Sequence, residues 1–220
     1  MKTPRTVSAG KHILILAGEP SGDLHGGHLA NRIRELDPTL HLSGIGGPEM
    51  EKEGVSLFFH IDRLSVMGFT EILFQFRDIK AAFDRFREQL RRNPPDLIVL
   101  IDYPGFNLKA AQYVKEHYGI PVLYYITPKV WAWKKSRLKK IQKYVDHAAL
   151  ILPFEEKLFK KHHVACTYVG NPLVDQYPAH LARPYSILKD TDRSRRSGPV
   201  IGLLPGSRKT EVRNLAPALA

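Results

Sequence analysis

The sequence predicts an α/β fold built on a parallel sheet. Short apolar runs recur along the chain, each is closed by a glycine- or proline-marked turn, and each turn opens a segment with helical apolar spacing. That alternation is the pattern of βα units around a sheet covered on both faces. The composition agrees. Of 220 residues, 43% are hydrophobic and 25% charged, which is ordinary for a globular chain and excludes disorder as an account of any long stretch.

The expected strands are His12–Ala17, Leu40–Ile45, Leu97–Asp102, Val122–Ile126, Ala148–Leu152 and Thr167–Val169, with another at Val200–Leu204. Between them, Asp23–Leu36 places Leu24, Ala30, Ile33 and Leu36 near one helical face, and Ser21 can cap the first turn. Phe69–Leu90 is the longest helical segment, with Phe76, Ile79, Phe83, Phe86 and Leu90 at i, i+3, i+4 spacing. Further helices are expected at Asn107–His117, Lys134–Tyr144 and Glu155–His162. Tyr177–Pro199 breaks the rhythm with prolines and the polar run Lys189–Ser197, and reads as a solvated connection. The expected organisation is therefore a domain over residues 1–176, a linker over 177–199, and the first βα unit of a truncated second domain over 200–220.

The formal net charge of +11 implies attraction to something anionic: a phosphate-bearing substrate, a membrane surface or nucleic acid. Cys166 is the only cysteine, so there is no intramolecular disulfide and no cysteine-based zinc cage; it reads as a small buried hydrophobe in a reducing compartment. No apolar run approaches the roughly 20 residues of a spanning helix. The ten histidines form no H-E-x-x-H arrangement, so no metal site is expected. Ser21 and Ser207 lack the G-x-S-x-G setting of a nucleophile elbow.

Five segments can carry chemistry. Gly18-Glu19-Pro20-Ser21-Gly22-Asp23 follows the first strand and opens a helix, the place where open α/β sheets bind ligands. Its spacing is not G-x-G-x-x-G, and Glu19 and Asp23 would repel a pyrophosphate, which disfavours a dinucleotide and with it an NAD-dependent oxidoreductase. Hydroxyl-rich ligands suit the acids, while a plain turn with Asp23 complementing the helix dipole competes. In Ile101-Asp102-Tyr103-Pro104-Gly105-Phe106-Asn107 an acid ends a very apolar strand; burial there raises a carboxyl pKa and equips Asp102 to take a proton from an attacking hydroxyl. The alternative is a carboxylate accepting loop N–H bonds, and Asn107 reads as a helix cap. In Leu203-Leu204-Pro205-Gly206-Ser207-Arg208, Gly206 lets backbone N–H groups approach a phosphate, Ser207 donates a hydrogen bond and Arg208 grips phosphate oxygens, with an ordinary helix cap as the competing reading.

Lys129–Lys143 combines Trp131 and Trp133 with Lys134, Lys135, Arg137, Lys139, Lys140 and Lys143 and holds no acid. It suits a headgroup layer, a nucleic-acid-binding module using stacked indoles, or simply a solvated helix face. Val66–Phe76 is apolar on more than one helical face, so Phe69, Leu73 and Phe74 either pack under another segment or form an exposed patch.

Taken in order, Ala17–Asp23, Gly46-Gly47-Pro48, Val66-Met67-Gly68, Ile101–Asn107, Pro128-Lys129-Val130-Trp131-Ala132-Trp133, Leu152-Pro153-Phe154-Glu155 and Leu204–Arg208 closely resemble the lipid-A-disaccharide synthase family over nearly the whole chain. The resemblance implies a GT-B architecture of two Rossmann-like domains facing across a cleft, and an inverting, metal-independent hexosyl transfer without a cofactor. The implied reaction joins UDP-2,3-diacylglucosamine to 2,3-diacylglucosamine 1-phosphate and releases UDP, a step of lipid A biosynthesis. By the same analogy Asp102 and Arg208 are catalytic, with Asp102 as the base. Ser21, Gly22, Asp23, Met67, Gly68, Gly206 and Ser207 contact substrate. Phe69, Ile72, Leu73, Phe74 and Phe76 form a patch that dips into the anionic inner leaflet of the inner membrane. The implied protein is cytoplasmic and peripheral and binds no nucleic acid, and the resemblance leaves a homodimer open. Asn171 stands where similar proteins usually carry histidine, and the chain lacks most of the second domain, so the fragment alone is expected to be inactive.

Overall fold

A computed structural model describes residues 10–63, 72–131, 136–175, 202–203 and 209–219. The chain divides into two compact units, Met1–Gln176 and Tyr177–Ala220.

The first unit is a seven-stranded sheet. Its strands are β1 (His12–Ala17), β2 (His41–Gly46), β3 (Ser56–His60), β4 (Leu97–Ile101), β5 (Val122–Tyr125), β6 (His147–Leu150) and β7 (Cys166–Tyr168). Their spatial order is β3-β2-β1-β4-β5-β6-β7, and every neighbouring pair is parallel. The helices are α1 (Pro20–Leu36), α2 (Pro48–Lys52), α3 (Ile72–Arg92), α4 (Pro104–His117), α5 (Ser136–Tyr144), α6 (Glu155–Lys161) and α7 (Pro172–Asp175). The winding reverses between β1 and β4, where Ala17 pairs with Ile101, so the turns after these two strands lie side by side at the carboxyl edge of the sheet.

Why the central strands read as unbroken apolar runs is visible in how their residues divide. Leu14, Leu16, Ile98, Leu100, Val122 and Tyr124 face one core with Phe86 and Leu90 of α3, Ala110 and Val114 of α4, and Ile141 of α5. Ile15, Ala17, Val99 and Ile101 face the other with Ala30 of α1 and Met50 of α2. Strands buried on both faces need no polar alternation. The apolar stripe of α3 packs as its spacing predicts: Ala82, Phe86 and Leu90 are fully buried, and Phe83 meets Phe106 edge-on at 5.6 Å.

Helices start earlier than the cap residues suggest. Pro20 and Pro104 occupy the first turns of α1 and α4, whose flanking residues are Glu19 and Tyr103, neither making a side-chain cap bond. Proline fits the first turn because its fixed φ is helical and its missing N–H would be unpaired there anyway. Ser21 and Asn107 therefore lie inside their helices and cap nothing. The elements α2 and β3, absent from the sequence reading, fold between β2 and α3. Gly54, at φ 77°, turns the chain from one into the other. Close packing of α2 on α1 requires Gly27, where a Cβ would come within 2.8 Å of the Glu49 carbonyl oxygen.

In the second unit the described part is Gly202, Leu203 and a helix, α8 (Lys209–Leu219). Gly202 and Leu203 are neither strand nor helix, so the strand expected at Val200–Leu204 does not form at its two described positions.

Candidate active site

The sheet edge at the switch point is built around Asp102. The residue falls one position beyond β4, so it is a turn residue and not the last of the strand. Asp102 and Tyr103 take φ of 42° and 44°, left-handed values that cost side-chain-bearing residues about 1–3 kcal/mol each. Ile126, at the end of neighbouring β5, has φ 58°. Of the four non-glycine residues with positive φ among the described residues, three surround this one edge. The turn is held by its carbonyl: Asp102 O accepts hydrogen bonds from Tyr124 Oη at 2.7 Å and Asn107 Nδ2 at 2.8 Å. Asn107 is wholly buried, and its amide also reaches the carbonyls of Ile101 (3.1 Å) and Leu16 (3.3 Å), tying β1, β4 and the turn together.

Asp102, Pro104, Ile126–Lys129, Arg137, Ile151, Leu152 and Glu155 enclose a cavity of about 210 Å³. Burial pushes the Asp102 carboxyl above the usual aspartate range. Glu19 pushes the same way, while the Tyr103 N–H, Lys129 and Arg137 oppose it. Glu155 is also buried and also raised, by desolvation, against the Trp131 indole N–H and Lys129. Trp131 Nε1 donates to Glu155 Oε1 at 3.1 Å, and the half-exposed indole meets Phe154 edge-on at 5.2 Å. The cavity thus brings together two carboxyls whose ionisation burial opposes and two cations, Lys129 and Arg137.

The other expected site residues fall in different places. Ser21 is exposed in the first turn of α1, and Gly22 is buried against Ala17 and Ile101. Asp23 is 2% exposed and its carboxylate is fully used: Oδ1 accepts the N–H groups of Gly47 (2.7 Å) and Met50 (3.1 Å), and Oδ2 that of Glu49 (3.0 Å). It fastens the start of α2 to α1. Tyr103 lies so close to Gly18 that a Cβ there would come within 2.1 Å of the ring. Asn171 caps the short α7 through Oδ1 and the Leu173 N–H at 3.0 Å. Cys166 is half-buried and its thiol raised by desolvation, so it is less enclosed than a core hydrophobe.

Met67, Gly68, Phe69, Gly206, Ser207 and Arg208 lie outside the described residues, as do Trp133, Lys134 and Lys135. Ile72, Leu73, Phe74 and Phe76 belong to the first turns of α3, with their side chains outside the described set. The basic run divides in α5: Leu138, Ile141 and Tyr144 are buried, Lys139, Lys140 and Lys143 face solvent, and Arg137 turns to the cavity. Thr127 carried no signal in the sequence, because only the adjacency of β4, β5 and β6 brings it beside Asp102. Glu155 could have been found as an acid opening a helix after the apolar strand β6.

The seven-stranded parallel sheet with helices on both faces is the Rossmann-like fold expected of a GT-B N-terminal domain. The solved structure of TcCGT1 in complex with UDP superposes with a TM-score of 0.50 at 14% identity, covering 76% of this chain and 55% of that one, a likeness of fold. The chain belongs to the family described as Lipid-A-disaccharide synthetase, whose family model matches residues 13–220. It is 46% identical over 213 residues to a lipid-A-disaccharide synthase of Coxiella burnetii, covering 95% of this chain and 55% of that protein. A lipid-A-disaccharide synthase of Geobacter metallireducens is 42% identical over 210 residues, covering 95% of this chain and 54% of the relative. The chain thus spans about half the length of the curated relatives it matches.

Proposed function

We propose that the protein bearing this chain transfers the diacylglucosamine unit of UDP-2,3-diacylglucosamine to 2,3-diacylglucosamine 1-phosphate, with inversion and without a metal. The observation that carries this reading is Asp102: a carboxyl raised by burial, fixed in a strained turn at the switch point and opening on a cavity. Its position lets it accept the proton of the attacking acceptor hydroxyl while the bond from the donor's anomeric carbon to UDP breaks. Family membership supports a nucleotide-sugar donor. On this reading Gly206, Ser207 and Arg208 hold the departing diphosphate, Ser21 and Gly22 border the acceptor, and Asp23 acts by fixing the β2–α2 loop. Met67 and Gly68 are assigned to substrate contact.

The acylated substrates place the protein on a lipid surface. Among the described residues no helix is long and apolar enough to cross a membrane. We assign surface binding to Phe69, Ile72, Leu73, Phe74 and Phe76 with Lys139, Lys140 and Lys143, facing the anionic inner leaflet of the inner membrane.

The test uses a protein of full family length carrying this sequence. Asp102→Ala and Arg208→Ala should each lower UDP release on the order of 100-fold or more. Unimpaired turnover in both would reject the assigned roles. Phe69→Ser with Phe74→Ser should reduce sedimentation with phosphatidylglycerol vesicles while circular dichroism is unchanged; collapse of the fold would return these side chains to the core.

A further inference from the structure

The cavity beside Asp102 holds groups that proton abstraction does not use. Lys129 and Arg137 both line it, and both act electrostatically on Asp102. Yet among the described residues no ion pair joins either cation to Asp102 or Glu155, the two carboxyls present. Thr127 is part of the same cavity wall and is 95% buried; its Oγ1 is enclosed and, among the described residues, has no hydrogen-bond partner. Two cations that make no ion pair among the described residues form a donor set for a phosphate, the guanidinium bidentate and the ammonium as a point charge.

We propose that Lys129 and Arg137 form a subsite for the phosphomonoester of a sugar phosphate whose ring hydroxyl reaches Asp102. The inference rests on the acceptor reading above and deepens it, assigning the acceptor's anionic end to this unit of the chain. It also explains why two carboxyls and two cations share one small space. The carboxyl of Asp102 selects a hydroxyl, and the cations select the charge carried elsewhere on the same ring. Glu155, which opens α6 and lines the cavity, repels any anion set too far toward that helix.

The test is binding to the 220-residue chain, followed by amide resonances with glucosamine 1-phosphate, glucosamine, inorganic phosphate and phosphatidylglycerol vesicles as probes. Glucosamine 1-phosphate should shift the amides of Asp102, Tyr103, Thr127 and Lys129, and inorganic phosphate should compete with it. Glucosamine should bind at least tenfold more weakly. Arg137→Met and Lys129→Met should each weaken the sugar phosphate at least fivefold, with Arg137→Lys intermediate and all three spectra still dispersed as in the parent. Equal affinity for glucosamine, undiminished binding in Arg137→Met, or displacement by the vesicles would overturn the subsite. If the subsite fails while Asp102→Ala still abolishes transfer, the transferase reading stands; if sugar phosphate binds here but Asp102→Ala transfers normally, only the base assignment falls.

Discussion

Replacing Asp23 separates a structural carboxylate from a ligand-binding one. In Asp23→Ala three N–H groups at the start of α2, those of Gly47, Glu49 and Met50, lose their acceptor. Two of these bonds are buried and one is partly exposed. At roughly 1–3 kcal/mol for each buried donor left unpaired, and less where water can enter, the loss should total about 3–5 kcal/mol. Asp23→Asn should cost less. Its remaining oxygen can stay with Gly47 and Met50, while its amide group faces the Glu49 N–H, donor against donor, for about 1–3 kcal/mol. Native-state hydrogen exchange reads both effects directly, through protection of the Gly47 and Met50 amides, and urea unfolding by circular dichroism gives the global loss. The order wild type, Asn, Ala is required. An Ala variant within about 0.5 kcal/mol of wild type, with protection intact, would refute the structural assignment and return Asp23 to the substrate.

Three further outcomes are expected. His12 is buried, bonded through Nε2 to Ser43 Oγ at 2.7 Å, and its pKa is lowered from 6.5 to about 4 by burial and His41 against Asp96. A base depressed in the folded state gives stability present above pH 6.5 and lost as pH falls toward 4, worth about 3 kcal/mol in full; His12→Gln should flatten the pH dependence of the urea midpoint between pH 6.5 and 5, and an unchanged slope would contradict this. Asn107→Asp sets a carboxylate against three carbonyl oxygens and should destabilise more than Asn107→Ala, by at least about 1 kcal/mol in urea unfolding. In a Trp133→Phe background, Glu155→Ala should red-shift Trp131 emission while Glu155→Gln, which keeps an acceptor for the indole N–H, should not; identical spectra would show the bond has no hold on the ring.

Much of the fold could be read because the central strands are buried on both faces and so advertise themselves as unbroken apolar runs. The short elements could not. Strand β3 is an edge strand of five residues and α2 a helix of five, too short for either periodicity to accumulate. Helix starts differ from the cap chemistry for another reason: Ser21 and Asn107 are good cap residues, but Pro20 and Pro104 set helical φ first and draw both residues inside. Asp102 stood out as an acid ending an apolar strand, and burial raises its pKa as that position implies. The partners that hold and surround it were hidden. Asn107 reaches Leu16 across 91 positions, and Thr127, Lys129 and Arg137 share a cavity with Asp102 only because β5 and β6 follow β4 in the sheet.

Asp102→Asn in a protein of full family length decides whether the ionised Asp102 takes the proton of the attacking hydroxyl. The change keeps the size of the side chain and leaves the backbone carbonyl bonded to Tyr124 and Asn107, so the turn should survive. Transfer measured as UDP release across pH should fall on the order of 100- to 10,000-fold, with the donor KM within about threefold. The wild-type acid limb should lie above the ordinary aspartate range, as the burial of Asp102 requires, and should vanish in the variant. A variant that retains wild-type kcat, or the same acid limb, would contradict the account.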